Sequence, residues 1–302
     1  AKDRGIRIMG DLPIYVAHDS ADVWANPTQF RLGPDGRPLV QAGVPPDYFS
    51  ATGQLWGNPI YDWAAMQADG FRWWIRRVRS AFELFELVRI DHFRGFEAYW
   101  EVPGTDTTAI NGRWVPAPGH ALFTAIQQAL GPLPIVAENL GVITPAVEQL
   151  REAFGFPGMR ILQFAFGTDP QASAFRPHGY EPATVVYTGT HDNDTTVGWW
   201  SSDGAGDSTR AAEEVAAEKA FAARYLGLRE GDEIQWAMIR TALASVADTV
   251  IVPMQDLLGL GSAARFNLPG RAGGNWRFRF TWDQCTPALT QRLRTLVDTF
   301  DR

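Results

Sequence analysis

The chain has 302 residues, of which 45% are hydrophobic and 20% are charged, and its formal net charge at pH 7 is -7. This length suits one large α/β domain or two ordinary domains, and the composition supports a sizeable apolar core. The negative net charge argues against a protein that binds the phosphate backbone of a nucleic acid, because phosphate contacts need a basic surface.

In chain order, apolar runs and helical patterns alternate around one long connection. Residues 5–12 predict a buried strand that ends on an acid, and residues 70–86 have helical apolar spacing. Between them, residues 13–63 lack periodicity and are too aromatic to be disordered, so they predict a functional loop. The later predicted elements are strands at 87–90, 134–139, 159–166, 183–192 and 249–256, and helices at 119–130, 145–154 (with Thr144 as N-cap), 211–226, 232–247 and 287–300.

Six buried strands separated by helices predict parallel strands, and their recurrence favours a (β/α)8 barrel with its site at the carboxyl ends of the strands. A doubly wound open sheet is the alternative, which the absence of a glycine-rich phosphate loop disfavours. A barrel of eight strands needs two more than the chain provides. Because a closing helix follows the last strand, we expect the missing pair before residue 1. Residues 1–302 are thus predicted to be a partial barrel that begins at the third strand.

Three acids follow apolar runs and stand at predicted strand ends: Asp91, Glu138 and Asp192. In a parallel barrel these ends face one mouth, and two carboxylates about 5 Å apart can cleave a glycosidic bond with retention. Aromatic residues in the predicted loops offer flat surfaces on which sugar rings stack. The residues alone leave an ordinary alternative open, in which Asp91 forms a structural ion pair with Arg89 or Arg94 and most aromatics belong to the core.

Other chemistries find little support in the sequence. The five histidines show no metal-ligand spacing, and neither a nucleophile elbow nor a phosphate-binding loop is present. Carboxylates suit hard cations, but Arg89 and Arg94 would repel a cation beside Asp91. Cys285 is the only cysteine, which excludes a disulfide framework and fits a reducing compartment. We therefore expect no metal, no cofactor and no membrane contact, and a cytoplasmic protein.

Three segments carry a specific resemblance: Arg-Ile-Asp-His-Phe-Arg-Gly at 89–95, Ala-Glu-Asn-Leu-Gly at 137–141 and Gly-Thr-His-Asp-Asn-Asp-Thr at 189–195. Together with matches at 10–16, 43–49, 56–59, 255–259 and 265–270, they resemble the 4-alpha-glucanotransferases. This is the amylomaltase or disproportionating-enzyme family, glycoside hydrolase family 77, in the α-amylase superfamily of TIM-type barrels. The matches occur in family order over nearly the whole chain, but additional family sequence precedes the first match and is absent here.

The resemblance implies a role for each matching residue. Asp91 would be the nucleophile, Glu138 the general acid/base, and Asp192 the group that stabilises the distorted, oxocarbenium-like sugar. Arg89 would keep Asp91 ionised, since a neighbouring cation lowers a carboxyl pKa. The other implied substrate-binding residues are Asp11, His92, His191, Asn58, Asn267, Trp56, Tyr48, Phe49 and Phe164. Residues 43–61 would cover the cleft, although their aromatics have the alternative role of pinning the loop, and Phe164 could instead fill the barrel interior.

The implied activity is the transfer of α-1,4-glucan segments between maltodextrins, with a maltooligosaccharide donor and acceptor. After Glu138 protonates the leaving oxygen, Asp91 holds a covalent glucosyl intermediate. A lid that excludes water would favour a second glucan as acceptor. Two alternatives stay open: an α-glucan hydrolase that uses the same acids, and a catalytically weak fragment that only binds glucan or pairs with a missing amino-terminal half.

Overall fold

The computed structural model describes residues 1–46, 50–204, 211–271 and 273–302, and it divides into two compact units, Ala1–Gly158 and Met159–Arg302. The strands are β1 (Met9–Leu12), β2 (Val40–Val44), β3 (Gln54–Pro59), β4 (Leu87–Ile90), β5 (Ala98–Pro103), β6 (Arg113–Pro116), β7 (Ile135–Ala137), β8 (Gly158–Ile161), β9 (Thr184–Tyr187) and β10 (Thr249–Ile251). The α-helices are α1 (Ala21–Ala25), α2 (Trp63–Ala68), α3 (Arg72–Leu84), α4 (Gly119–Leu130), α5 (Pro145–Ala153), α6 (Thr196–Ser201), α7 (Ala212–Leu226), α8 (Ile234–Leu243), α9 (Met254–Leu257) and α10 (Pro287–Thr299). Among the described residues, no helix has the length and apolar character needed to cross a membrane.

The first unit contains a parallel sheet in the order β1-β4-β7. Its strands form from apolar runs because both faces of a parallel sheet are covered, and Val88 and Ile90 are each 1% exposed. The ladder continues past the strand ends: the Asp91 N–H donates to the Leu12 carbonyl (3.1 Å) and the Glu138 N–H donates to the Ile90 carbonyl (3.0 Å). The two predicted acids of this unit therefore leave adjacent strands at the same edge.

An antiparallel sheet in the order β3-β2-β5-β6 was not predicted, and it corrects the interpretation of residues 13–63 as irregular. That segment contains α1, a 3-10 helix at Pro27–Gln29, β2 and β3. The sheet needs close backbone approach, since a Cβ added to Gly43 would lie 2.4 Å from the Gln54 carbonyl oxygen. Short strands that contain glycine, proline and asparagine give weak sequence signals. That the segment covers a cleft stays a prediction.

The core of the first unit is aromatic and lies between α3, α4 and the turn after β4. Phe93, Phe96 and Phe123 are at most 1% exposed, and the Phe93 and Phe123 rings stack with centroids 5.6 Å apart. Trp74 of α3 meets Phe96 edge to face at 5.2 Å. Truncating one such ring to alanine typically costs about 3–5 kcal/mol of stability. The sequence Phe93-Arg94-Gly95-Phe96 thus anchors the turn that follows Asp91 in the core.

The second unit contains a sheet in the order β10-β9-β8, in which β9 and β10 are parallel. Three predicted strands are shorter than expected. The strand predicted at 159–166 ends at Ile161 and becomes a 3-10 helix, and the one predicted at 183–192 ends at Tyr187. The strand predicted at 249–256 ends at Ile251, because Pro253 lacks an N–H for the ladder and caps α9 instead. Gln255 and Asp256 are therefore helical.

Candidate active site

A buried arginine on the central strand of the first sheet joins two aspartates. Asp11 and Arg89 are register partners on β1 and β4, and Asp91 follows β4 directly. Arg89 Nη1 donates to Asp11 Oδ1 (2.7 Å) and Nη2 donates to Asp91 Oδ1 (2.8 Å). The Arg89 side chain is 12% exposed, while the Asp11 and Asp91 side chains are 49% and 43% exposed. The ion pair of the ordinary interpretation is therefore real, and it orients a half-exposed Asp91.

The charges around Arg89 hold it in its protonated form. Burial acts to lower the Arg89 pKa, but the negative charges of Asp11, Asp91 and Glu138 outweigh burial and raise the pKa above its ordinary value. A guanidinium forms two directed hydrogen bonds to carboxylates, which lysine cannot reproduce with the same geometry. The cation next to Asp91 is thus permanent.

Glu138 is a buried carboxyl, 9% exposed, immediately beyond β7. Its Oε2 accepts from the His92 N–H (2.7 Å) and its Oε1 accepts from the Leu140 N–H (2.8 Å). Burial raises the pKa of Glu138 to about 7; Asp91 also raises it, while Arg89 and the two N–H donors lower it. A carboxyl with this pKa holds a proton near neutral pH and can give it to a leaving oxygen.

His92 connects Glu138 to the predicted loop aromatics. Its φ of 48° lies in the left-handed region, which a residue without glycine's freedom rarely adopts, and such strain is concentrated at functional sites. The His92 ring meets Trp56 edge to face at 4.8 Å, and Trp56 is 37% exposed. Burial lowers the pKa of His92 to about 3, with Arg94 contributing, so the ring is neutral. A neutral imidazole can donate one hydrogen bond and accept another.

Two neighbours of these residues have scaffolding contacts. Asn58 Nδ2 donates to the Val16 carbonyl (3.0 Å), which ties β3 to the segment after β1. The Arg94 guanidinium lies 3.8 Å from the centre of the Trp114 ring and donates through Nη1 to the Val142 carbonyl. Arg94 thereby joins the turn after Asp91 to the segment after Glu138.

In the second unit, Asp192 and His191 are held by the segment that contains Asn267. Asn267 Nδ2 donates to Asp192 Oδ1 (2.6 Å), and the Asn267 N–H donates to the His191 carbonyl (3.1 Å). His191 Nε2 lies 3.4 Å from Asp192 Oδ2. Asp192 is 49% exposed on its side chain, so its carboxylate is both oriented and accessible.

Sequence reasoning did not assign two further contacts of this cluster. Arg265 Nη2 donates to the Asp192 carbonyl (2.5 Å), and the Trp276 ring packs against His191 with centroids 5.3 Å apart. Arg265 begins the matched segment at 265–270, which was a usable signal. Trp276 lies in a glycine-rich stretch without periodicity, so nothing in the sequence indicated its partner.

The structure thus forms two clusters. Asp11, Arg89, Asp91, His92 and Glu138 lie together in the first unit, with Trp56 against His92. His191, Asp192 and Asn267 lie together in the second unit, and the convergence of the two clusters stays a prediction.

The remaining predicted residues have other positions. Phe164 is 42% exposed and meets Phe175 edge to face at 5.4 Å. Tyr48 and Phe49 lie outside the described residues. Within the described part of the chain, no group of three or more His, Cys, Asp or Glu side chains is arranged to hold a metal ion.

The family model and the similar proteins that match this chain carry the same description. A family model for 4-alpha-glucanotransferase matches residues 1–285. The 4-alpha-glucanotransferase of Thermus thermophilus is 53% identical over 310 residues, which cover 100% of this chain and 59% of that protein. The chloroplastic/amyloplastic 4-alpha-glucanotransferase of Solanum tuberosum is 50% identical over 305 residues, covering 100% and 51%. The chain therefore spans between half and three fifths of the length of these relatives.

Solved structures agree with this result. An amylomaltase from Streptococcus agalactiae, solved in complex with acarbose, aligns with a TM-score of 0.92 and 42% identity over 100% of this chain and 59% of that one. An amylomaltase from Corynebacterium glutamicum aligns with a TM-score of 0.80 at 20% identity, covering 96% and 46%, and is similar in fold alone. These likenesses confirm the predicted fold class, the TIM-type barrel of the α-amylase superfamily.

Proposed function

The chain belongs to the 4-alpha-glucanotransferase family, glycoside hydrolase family 77, and we propose that its reaction is the transfer of α-1,4-glucan segments between maltodextrins with retention. One observation carries the proposal. Asp91 is half-exposed and accepts a hydrogen bond from Arg89, whereas Glu138 is buried with a pKa of about 7, so the two carboxyls have the different surroundings that a nucleophile and a general acid need.

In the first half of the proposed reaction, Glu138 donates its proton to the glycosidic oxygen while an Asp91 oxygen attacks the anomeric carbon. The bond from that carbon to the leaving oxygen breaks, and a glucosyl ester of Asp91 forms. Arg89 donates a hydrogen bond to Asp91 beforehand, and its second contact, to Asp11, fixes the direction of the guanidinium. The nucleophile and the arginine that orients it thus come from β4 and the residue directly after it, and β1 supplies the contact that fixes the arginine.

In the second half, the 4-hydroxyl of an acceptor glucan attacks the anomeric carbon and displaces Asp91 as a carboxylate. Glu138, now deprotonated, takes the hydroxyl proton. Asp192, oriented by Asn267, would accept hydrogen bonds from the sugar hydroxyls as positive charge develops on the ring. Glucan thus serves as both donor and acceptor.

The remaining substrate contacts in the proposal follow the family resemblance. Trp56, packed against His92, would stack on a sugar near the cleaved bond. The other proposed sugar contacts are Asp11, His92, His191, Asn58, Tyr48, Phe49 and Phe164. The lone Cys285 supports a cytoplasmic site of action.

Incubation with maltotriose, with products resolved by chain length, tests the proposal. Transfer gives glucose together with oligomers longer than maltotriose, whereas glucose and maltose without longer products would show hydrolysis. No turnover, with maltotriose or acarbose binding retained in calorimetry, would show a binding fragment. Either of the last two results refutes the transferase.

Two variants test the assignment of the nucleophile. Asp91→Asn should abolish turnover, since an amide cannot form the ester, and should leave binding in place. Asp19→Asn makes the same change of charge at an exposed aspartate of the same unit and should retain activity. Activity of Asp91→Asn near the parent level would mean that Asp91 is not the nucleophile.

A further inference from the structure

Asp256 is a buried carboxyl that the proposed reaction does not use. It lies in α9, is 1% exposed, and belongs to the matched segment at 255–259. Its Oδ2 accepts from the hydroxyls of Thr188 (2.6 Å) and Thr196 (2.7 Å), and its Oδ1 accepts from the Thr196 N–H (2.7 Å). All three donors belong to the ends of one segment.

That segment, residues 188–196, carries two of the predicted sugar contacts of the second unit. Thr188 is the first residue after β9, and Thr196 is the first residue of α6. His191 and Asp192 lie between them. One side chain therefore fixes both the point where the chain leaves the sheet and the point where it enters the helix.

The middle of the segment is braced separately. Gln163 Nε2 donates to the Asp194 carbonyl (2.9 Å), and Ser262 Oγ donates to Asp194 Oδ2 (2.6 Å). Asn193 Oδ1 accepts from the N–H and hydroxyl of Thr190, both at 2.8 Å. The backbone around His191 and Asp192 is thus tied down, while their side chains stay 32% and 49% exposed.

Burying a carboxylate costs free energy, and apolar side chains of the same volume often stabilise a fold equally well. Burial raises the pKa of Asp256, and the threonine hydrogen bonds act against that change. Three directed hydrogen bonds, in contrast, specify geometry: through its two carboxylate oxygens Asp256 sets where Thr188 and Thr196 stand relative to α9. The main effect of these hydrogen bonds is therefore to orient the segment that Thr188 and Thr196 bound.

We propose that Asp256 is a positioning residue for glucan transfer, which holds the segment 188–196 so that His191 and Asp192 meet the sugar. The inference rests on the proposed function. Because Asp192 is assigned to the developing oxocarbenium-like sugar, a displaced segment lowers kcat more than it changes KM. A displacement of about 1 Å is enough for a 100-fold loss of rate.

Three variants separate positioning from mere folding. Asp256→Asn keeps the size but replaces one carboxylate oxygen by an NH2 group, which faces either the Thr196 N–H or the two threonine hydroxyls. Thr188→Val removes the hydroxyl at nearly constant volume, and Thr188→Ser keeps it. We expect kcat to fall about 10- to 100-fold in Asp256→Asn and in Thr188→Val, with KM within about threefold of the parent and activity restored in Thr188→Ser. Asp298→Asn, an exposed change on α10, is the matched control.

A second measurement does not depend on activity. The ring resonances of His191, assigned with His191→Gln, report its contact with Asp192. Asp256→Asn and Thr188→Val should shift these resonances in the folded protein, and Thr188→Ser should not. If the parent transfers no glucan, the proposed function fails while the resonances still decide the positioning role.

The positioning role is overturned if Asp256→Asn and Thr188→Val keep kcat and the parent His191 resonances. It is also overturned if they lower only the melting temperature, which would show a purely structural role. Should Asp256→Asn not fold, the Thr188→Val and Thr188→Ser pair alone decides: equal kcat and resonances in the two variants contradict the proposal.

Discussion

Replacing Glu138 by glutamine should change how folding stability depends on pH. Burial raises the pKa of Glu138 from 4.5 to about 7 in the folded protein. Between these values the folded chain holds a proton that the unfolded chain has released, so stability falls as pH rises through this window. The loss of folding free energy that comes from ionising the buried Glu138 is absent below pH 4.5 and complete above about pH 7. Glutamine cannot ionise and therefore removes this dependence.

The magnitude follows from the difference between the two pKa values. Each pKa unit corresponds to about 1.4 kcal/mol, so Glu138 lowers the free energy of unfolding by about 3 kcal/mol above neutral pH. Glutamine also has a pH-independent cost. It offers one acceptor to the two N–H groups of His92 and Leu140, and an unpaired buried donor costs about 1–3 kcal/mol. The test therefore measures how the difference in unfolding free energy between variant and parent changes with pH.

Urea unfolding followed by tryptophan fluorescence, from about pH 5 to about pH 8, measures this slope. The unfolding free energy of Glu138→Gln minus that of the parent should rise by about 2.5 kcal/mol over the range, because a small part of the cost is already present at about pH 5. Glu83→Gln, at an exposed position on α3, controls for the loss of a glutamate and should give a flat difference. A flat difference for Glu138→Gln as well, or one that falls with pH, would refute the argument that burial keeps Glu138 protonated. The general acid would then lack its physical basis.

Three further outcomes are expected. Arg89→Met should lower kcat by about 100-fold. Since Arg89 lowers the pKa of Glu138, its loss should also move the alkaline limb of the pH–rate profile to higher pH. An alkaline limb at the parent pH would contradict this coupling between Arg89 and Glu138. Asn267→Ala removes the 2.6 Å bond to Asp192 and should lower kcat about 10-fold, as for a hydrogen bond to a charged group, whereas unchanged steady-state kinetics would show that Asp192 needs no such orientation. Turnover should survive treatment with a chelator, and a loss that calcium restores would contradict the metal-free mechanism.

The sequence predicted the elements whose signals are local. The helix predicted at 119–130 has these bounds in the structure, and the apolar runs before Asp91 and Glu138 are strands of one parallel sheet. The antiparallel sheet was missed because its strands contain Gly43, Gly57 and prolines, and their stability comes from distant pairing. Asp256 was predicted at a strand end because the apolar run continues up to Pro253, whose missing N–H ends the ladder.

The residues of the candidate site could be proposed from the sequence, while their electrostatics depended on the fold. Strand-end position indicated Asp91 and Glu138, and the neighbouring charge indicated Arg89. The register that pairs Asp11 with Arg89 is a property of strand pairing, which a single sequence does not specify. Similarly, the burial that sets the pKa of Glu138 comes from elements distant in sequence.

In the proposed reaction Glu138 acts first as an acid and then as a base, and the charges around it favour this change of role. Asp91, as an anion, raises the pKa of Glu138, while Arg89 lowers it. When Asp91 becomes a glucosyl ester it loses its charge, and the lowering effects of Arg89 and of the two N–H donors remain beside the unchanged burial. The Glu138 pKa therefore falls at the step where Glu138 must release its proton and then accept one from the incoming hydroxyl. Arg89, a single buried arginine that contacts Asp11 of β1 and Asp91 after β4, thus serves both halves of the proposed reaction.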